Sequence, residues 1–256
     1  VRKAISLAID RALLVRVALH EYTDPADESG LSAAYDKWKM EDWEQRDQWT
    51  EYNPTRALKL LNARGWQLQN GFLERDGERL SLRIGVVSGW SDWVRAAQVI
   101  ARSLQRLGIE ATVVNRDFGS WFQALQQGEF DLSLGWSDSG PHPVGFYNSM
   151  MSEKSLKPVG EVASVNWHRY GHPEVDTLVE AFESTSDEEK QIKIAQELQQ
   201  LFVENVPAIP LFLNPSWGEC NTRRFTGFPS AENPYARLSP NHSPETLLVM
   251  TRLEAR

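Results

Sequence analysis

The chain has 256 residues, with 27 Lys and Arg against 35 Asp and Glu, giving a formal net charge of −8, a balance that excludes a broad cationic nucleic-acid surface. Hydrophobic residues at 41% and charged residues at 24% are the proportions of a chain that buries a core, which excludes a disordered or low-complexity polymer. No run of about 18 apolar residues is present, which excludes a membrane-spanning helix.

Residues 1–18 carry apolar side chains at helical spacing (Val1, Ile5, Leu7, Ala8), and Asp10 is placed to cap a second helix through Leu13, Val15 and Leu19. The sequence enters this pattern directly at Val1, without a charged and then apolar leader, and reads as an internal or processed piece of a longer chain. Residues 21–52 mix Pro25, Gly30 and many charges with Trp38, Trp43 and Trp49, which predicts a long loop with short helical turns. Asn53-Pro54, the apolar face of Ala57, Leu58, Leu60 and Leu61, and then Gly65 punctuate a complete helix. A β-hairpin is predicted from 72–74 and 80–86 around Asp76-Gly77, a dipeptide that tolerates positive φ.

From Leu80 the pattern alternates: strand (Leu82, Ile84, Val86), helix 93–107, strand 109–114, helix 119–127, strand 130–134. Such a βαβαβ run predicts an α/β fold with a mainly parallel sheet flanked by helices. Ligands of such sheets bind beyond the carboxyl ends of the strands, here the loops 88–93, 115–121 and 136–147, each with at least one Trp. Residues 141–170, rich in Pro, Gly, Asn and Ser, read as a surface excursion over that site. Helices are predicted over 173–184 and 187–203, short strands over 209–213 and 246–250, and extended chain over 215–219.

The sequence shows no catalytic constellation. G-V-V-S-G at 85–89 lacks the spacing of a nucleophile elbow, and neither a phosphate loop nor a dinucleotide glycine fingerprint is present. His168 and His172 are four apart, but Gly171 and Pro173 oppose the helix that would aim both at a metal, so they read as loop histidines. Asp92, Asp117, Asp131 and Asp138 lie near predicted strand ends, where a carboxylate pair for glycan chemistry would have to sit; Asp92 and Asp117 read more simply as helix caps. No cofactor is expected. The lone Cys220 has no partner for an intrachain disulfide. Ten Trp are the compositional anomaly, more than a core requires.

V-R-K-A-I-S-L-A-I-D-R at 1–11, Y-N-P-T-R-A-L-K-L-L at 52–61 with Gly65-Trp66, I-A-R-S-L-Q-R-L-G-I-E at 100–110, G-E-F-D-L at 128–132 and P-A-I-P-L-F at 207–212 together resemble the family 5 extracellular solute-binding proteins of bacterial ABC importers. The resemblance spans nearly the whole chain and implies a periplasmic-binding-protein type II lobe: residues 1–215 as the C-terminal lobe of a two-lobed receptor, and 216–256 as a tail returning toward the other lobe. It also implies a periplasmic or extracellular location, a membrane permease as partner, and a further N-terminal lobe completing the cleft and carrying any lipid anchor.

Peptide-binding members of the family carry an aspartate in a W-x-x-D motif that meets the peptide's α-amino group. Here Trp136-Ser137-Asp138-Ser139 puts Ser139 at that position, with Asp138 one residue early and His142 in place of the Asp of the usual Asp-Pro. G-W-S-D-W at 89–93, G-P-H-P-V-G-F-Y at 140–147, K-P-V-G-E at 157–161 and N-W-H-R-Y at 166–170 resemble instead the branch that binds cello- and related oligosaccharides. Indoles stack on the C–H face of a sugar while short polar groups bond its hydroxyls. The predicted ligand-binding residues are therefore Trp90, Trp136, Ser137, Asp138, Ser139, His142, Asn166 and Trp167. Trp93 reads chiefly as a helix residue and Trp121 as core. An oligopeptide receptor and a carbohydrate-active enzyme using Asp92, Asp117 or Asp138 are the alternatives.

Overall fold

The computed structural model describes residues 1–40, 47–137, 140–215, 218–240 and 242–256, in two compact units, Val1–Leu213 and Asn214–Arg256. In the first unit α1 (Arg2–Ala8) and α2 (Arg11–Leu19) break where predicted, the Asp10 carboxylate accepting the Leu13 N–H at 2.9 Å. A 3-10 turn at Ala33–Trp38 interrupts the long loop that follows. Its Trp38 and Trp49 are buried, and the Trp49 indole donates to the Val203 carbonyl at 2.9 Å. Arg11 fastens this region: its guanidinium donates to the carbonyls of Thr50 and Pro210 and to the Ser6 hydroxyl. Burial lowers its pKa to about 10, opposed by the Glu28 carboxylate. α3 (Pro54–Asn62) starts as expected, with Pro54 in its first turn and the Asn53 side chain accepting from the Arg56 N–H.

The hairpin is shorter than its sequence implied. β1 (Gln67–Gln69), β2 (Phe72–Arg75) and β3 (Glu78–Arg79) form an antiparallel meander, with Asp76 and Gly77 at φ 55° and 81° in the turn. The next strand, β4 (Ser81–Val87), leaves that meander, because Ile84, Val86 and Val87 find burial in a second sheet. There β4 is central, paired in parallel with β5 (Glu110–Arg116) on one side and β6 (Leu132–Ser133) on the other. The connections are α4 (Ser91–Arg106) and α5 (Phe118–Gln127), which completes the predicted βαβαβ run. β6 is only two residues long because the Asp131 carboxylate, rather than a strand carbonyl, accepts the Arg83 N–H at 3.0 Å.

Three predicted elements are corrected. Within 141–170 lies α6 (Val144–Met151), burying Val144, Phe146, Tyr147 and Met151, followed by a 3-10 turn at Glu153–Ser155. The proline that read as loop, Pro143, is the residue before the first turn, where a missing N–H costs little. α7 (Pro173–Glu183) and α8 (Glu188–Asn205) follow as predicted, α8 capped by Asp187. Residues 209–213 make a single bridge, Pro25 to Phe212, rather than a strand, since Pro210 has no N–H to donate. In the second unit β7 (Phe225–Thr226) pairs antiparallel with β8 (Glu254–Ala255), and the run read as a strand over 246–250 is helix α9 (Glu245–Thr251). A short apolar run does not distinguish helix from strand by period; here Glu245 opens the helix and accepts from the Arg237 guanidinium at 2.7 and 2.9 Å.

Candidate ligand-binding site

The carboxyl ends of the parallel strands are covered by aromatic rings. β4 ends at Val87, and a turn closed by the Trp90 N–H on the Val87 carbonyl (3.2 Å) puts Trp90 at the start of α4, with Trp93 one turn on. After β5, Asp117 caps α5: its carboxylate accepts the Ser120 N–H at 3.1 Å and the Ser120 hydroxyl at 2.6 Å, which holds that carboxyl below its ordinary value. The cap fixes Phe118, Trp121 and Phe122 along one face, at spacings of three and four. After β6, the Leu134 N–H on the Gly85 carbonyl carries the chain out to Trp136.

These rings form one layer. Trp90 lies 4.8 Å from Trp93, 5.9 Å from Phe118, 6.0 Å from Trp121 and 6.2 Å from Trp136. Trp136 is 5.4 Å from Trp121, near-parallel to Phe122 at 6.0 Å and 18°, and edge-on to Trp167 at 5.5 Å. Trp93 and Trp121 are buried, and the Trp121 indole donates to the Ser133 hydroxyl at 3.0 Å, so both are the floor of the layer. Trp136 retains 38% of its surface in solvent and Phe118 48%, exposures that leave apolar ring surface in water.

Trp167 reaches the layer from the excursion after α6, and its placement depends on Arg169, which sequence reasoning passed over. The Arg169 guanidinium donates to the carbonyls of Trp167 (2.7 Å), Gln126 (2.5 Å) and Glu161 (2.9 Å), lashing this loop to the end of α5. Gly128, at φ +73° past the end of α5, leaves the room: a Cβ there would stand 2.9 Å from Arg169 Nε. His168, between the two, donates a ring N–H to the Met150 carbonyl at 2.8 Å, since a carbonyl only accepts. Burial lowers its pKa to about 4, with Arg2 and Arg169 adding repulsion.

The other predicted residues fall in three places. Ser137 is exposed beside Trp136. Asp138 and Ser139 lie outside the described residues. His142 sits away from the ring layer, edge-on to Trp38 at 5.1 Å and against Phe182 at 5.4 Å, near Gly140, whose carbonyl and N–H both bond the Tyr35 hydroxyl. Asn166 is the correction: it is buried, and its amide is spent inside its own loop, donating to Ser152, Ser155 and Tyr170 and accepting from the Tyr170 N–H. That side chain shapes the loop rather than facing the rings.

Phe118 and Phe122 belong to the layer as well; their spacing with Trp121 on a helix starting at Phe118 is the sequence signal for them. Of the carboxylates considered for chemistry, Asp117 is the expected cap, and Asp92 lies within the first turn of α4 with Trp90 in the cap position. Asp131 is at the opposite end of the sheet, paired with Arg83. Among the described residues no group of three or more His, Cys, Asp or Glu could hold a metal ion.

A family model described as bacterial extracellular solute-binding proteins, family 5, middle, matches residues 1–157. The oligopeptide-binding protein AppA of Bacillus subtilis is 26% identical over 215 residues, covering 81% of this chain and 37% of that protein. Among solved structures, a periplasmic oligopeptide-binding protein from Thermotoga maritima with mannohexaose bound matches all of this chain and 49% of its own, with TM-score 0.89 and 24% identity. AppA in complex with a nonapeptide matches with TM-score 0.76 and 19% identity, over all of this chain and 47% of its own. At such identities the structures share the fold. The chain spans about half the length of these proteins or less.

Proposed function

The chain belongs to the family 5 bacterial extracellular solute-binding proteins, and we propose that it forms one lobe of an ABC-importer receptor that captures an oligosaccharide for delivery to a membrane permease. The observation that carries the ligand class is the ring layer at the carboxyl ends of β4, β5 and β6, with Trp136 bare at its surface. Flat apolar faces match the C–H faces of pyranose rings, and exposed Ser137 is suited to a sugar hydroxyl. The mannohexaose in the Thermotoga maritima relative supports a sugar on this fold.

In this reading residues 1–215 are the lobe and 216–256 a tail toward a second, N-terminal lobe that supplies the other wall of the cleft. Ligand bridging both walls favours the closed form, since only that form gains both sets of contacts. The receptor works as a binding protein without catalysis, outside the cytoplasmic membrane, either free in the periplasm or tethered by a lipid. Among the described residues no helix is long and apolar enough to cross a membrane.

The second reading is an oligopeptide ligand, favoured by AppA and its bound nonapeptide. A thermal-shift screen of the full-length receptor with manno-, cello- and xylo-oligosaccharides beside mixed peptides separates the two, because a ligand that binds only the native state raises the melting temperature. A rise with one sugar series alone is expected. A rise with peptides alone would replace the sugar reading and make Asp138 the residue to mutate.

A further inference from the structure

Two rings in the layer, Phe118 and Trp136, keep much of their surface in water, and each is near-parallel to Phe122. Phe118 stacks on Phe122 at 5.6 Å and 11°, and Trp136 stacks on Phe122 at 6.0 Å and 18°. Both also lie within 6.2 Å of Trp90, so they are no more than two ring steps apart. Phe118 has no capping duty, because the Asp117 carboxylate caps α5. Its inner surface is held by Trp90, Trp121 and Phe122, while nearly half its area stays in water.

We propose that Phe118 is a second stacking position, separate from Trp136, and that the pair makes the site selective for the length of a linear oligosaccharide. The inference rests on the sugar reading above and adds to it a specificity-determining residue. A linear oligosaccharide presents flat C–H faces at regular intervals along one chain, which two partly exposed rings, each near-parallel to Phe122, can meet in turn; a peptide of mixed sequence has no such repeat. One sugar unit covers Trp136, and only a longer chain reaches Phe118 as well.

The test is calorimetric titration of the full-length receptor with manno- and cello-oligosaccharides from di- to hexasaccharide. For the wild-type protein, affinity rises with chain length. Phe118→Ala loses about tenfold for the hexasaccharide and nothing for the shortest sugar that binds, whereas Phe118→Tyr keeps the length dependence. Melting temperatures establish that the variants fold, and Phe118→Leu, which keeps apolar bulk without a flat ring, carries the comparison if the Ala variant does not: a loss confined to the longer sugars supports the ring's role, and an equal loss or none at every length overturns it. Equal loss at all lengths, or none, in Phe118→Ala overturns the second position while leaving the sugar reading intact. A wild-type receptor that binds no oligosaccharide overturns both.

Discussion

The two ends of the parallel sheet are built from opposite materials. At the amino end Arg83 and Asp131 face each other across β4 and the start of β6, their N···O distance 2.9 Å and both side chains substantially in water. At the carboxyl end stand, among the described residues, seven aromatic rings, from Trp90 to Trp167, of which Trp93 and Trp121 are buried. The charged end is adequately solvated by itself. The aromatic end divides its labour, its floor holding α4 and α5 to the strands while Phe118 and Trp136 keep part of their surface in water. The largest effect therefore belongs to the floor. Trp121→Ala removes a 2%-exposed indole and the bond to Ser133 Oγ, and we expect a loss of about 3–5 kcal/mol by urea denaturation, with collapse of the layer. An unchanged midpoint would erase the distinction between floor and surface.

The loop that brings Trp167 to the layer supplies the next effect, one driven by pH. His168 has a folded-state pKa of about 4 against an ordinary 6.5, because burial and the nearby guanidinium groups of Arg2 and Arg169 disfavour the charged ring. The unfolded state then binds the extra proton as the pH falls, so stability is complete above about pH 6.5 and declines by about 1.4 kcal/mol per unit toward pH 4. His168→Gln, which can still donate to the Met150 carbonyl, abolishes that share of the decline. Parallel wild-type and variant curves in denaturation across this range would show that the loop is not strained by the proton.

The floor was legible in the sequence and the loop was not, for a physical reason. Trp93, Trp121 and the βαβαβ order follow from helical and strand periods, which are local properties of the chain. The roles of Asn166 and Arg169 depend on carbonyls at Ser152, Gln126 and Glu161, distant partners that no periodicity announces. The same holds for His142, assigned to the site by its place in a motif and found against Trp38, more than a hundred residues earlier. α9 failed differently: Leu247, Leu248, Val249 and Met250 make a run too short to carry a period.

Among the outer rings, Trp136 tests whether surface and floor are separable. In the full-length receptor, Trp136→Ala is expected to weaken oligosaccharide binding by at least about tenfold, near 1.4 kcal/mol, with a much smaller change in melting temperature than Trp121→Ala. Its half-open position predicts this, since much of its area is already in water in the folded state. Equal damage to stability and binding would mean that Trp136 belongs with the floor, and that the exposed face of Phe118 is the surface ligand meets first.

The smallest effect is expected at the charged end, where it serves as the control for all the others. The Arg83 guanidinium and N–H hold the Asp131 carboxyl below its ordinary 3.8, so the pair stabilises the fold above about pH 4 and that contribution is lost as the pH falls through the lowered pKa. Solvent screens an exposed pair, which keeps its contribution small. Asp131→Asn keeps an oxygen to accept the Arg83 N–H and removes only the charge. It should shift the denaturation midpoint slightly near neutrality, less in high salt, converge with wild type in acid, and leave ligand affinity untouched. If the affinity falls with this variant, the two ends of the sheet are coupled through β4 and β6, and ring exposure alone no longer explains where ligand binds.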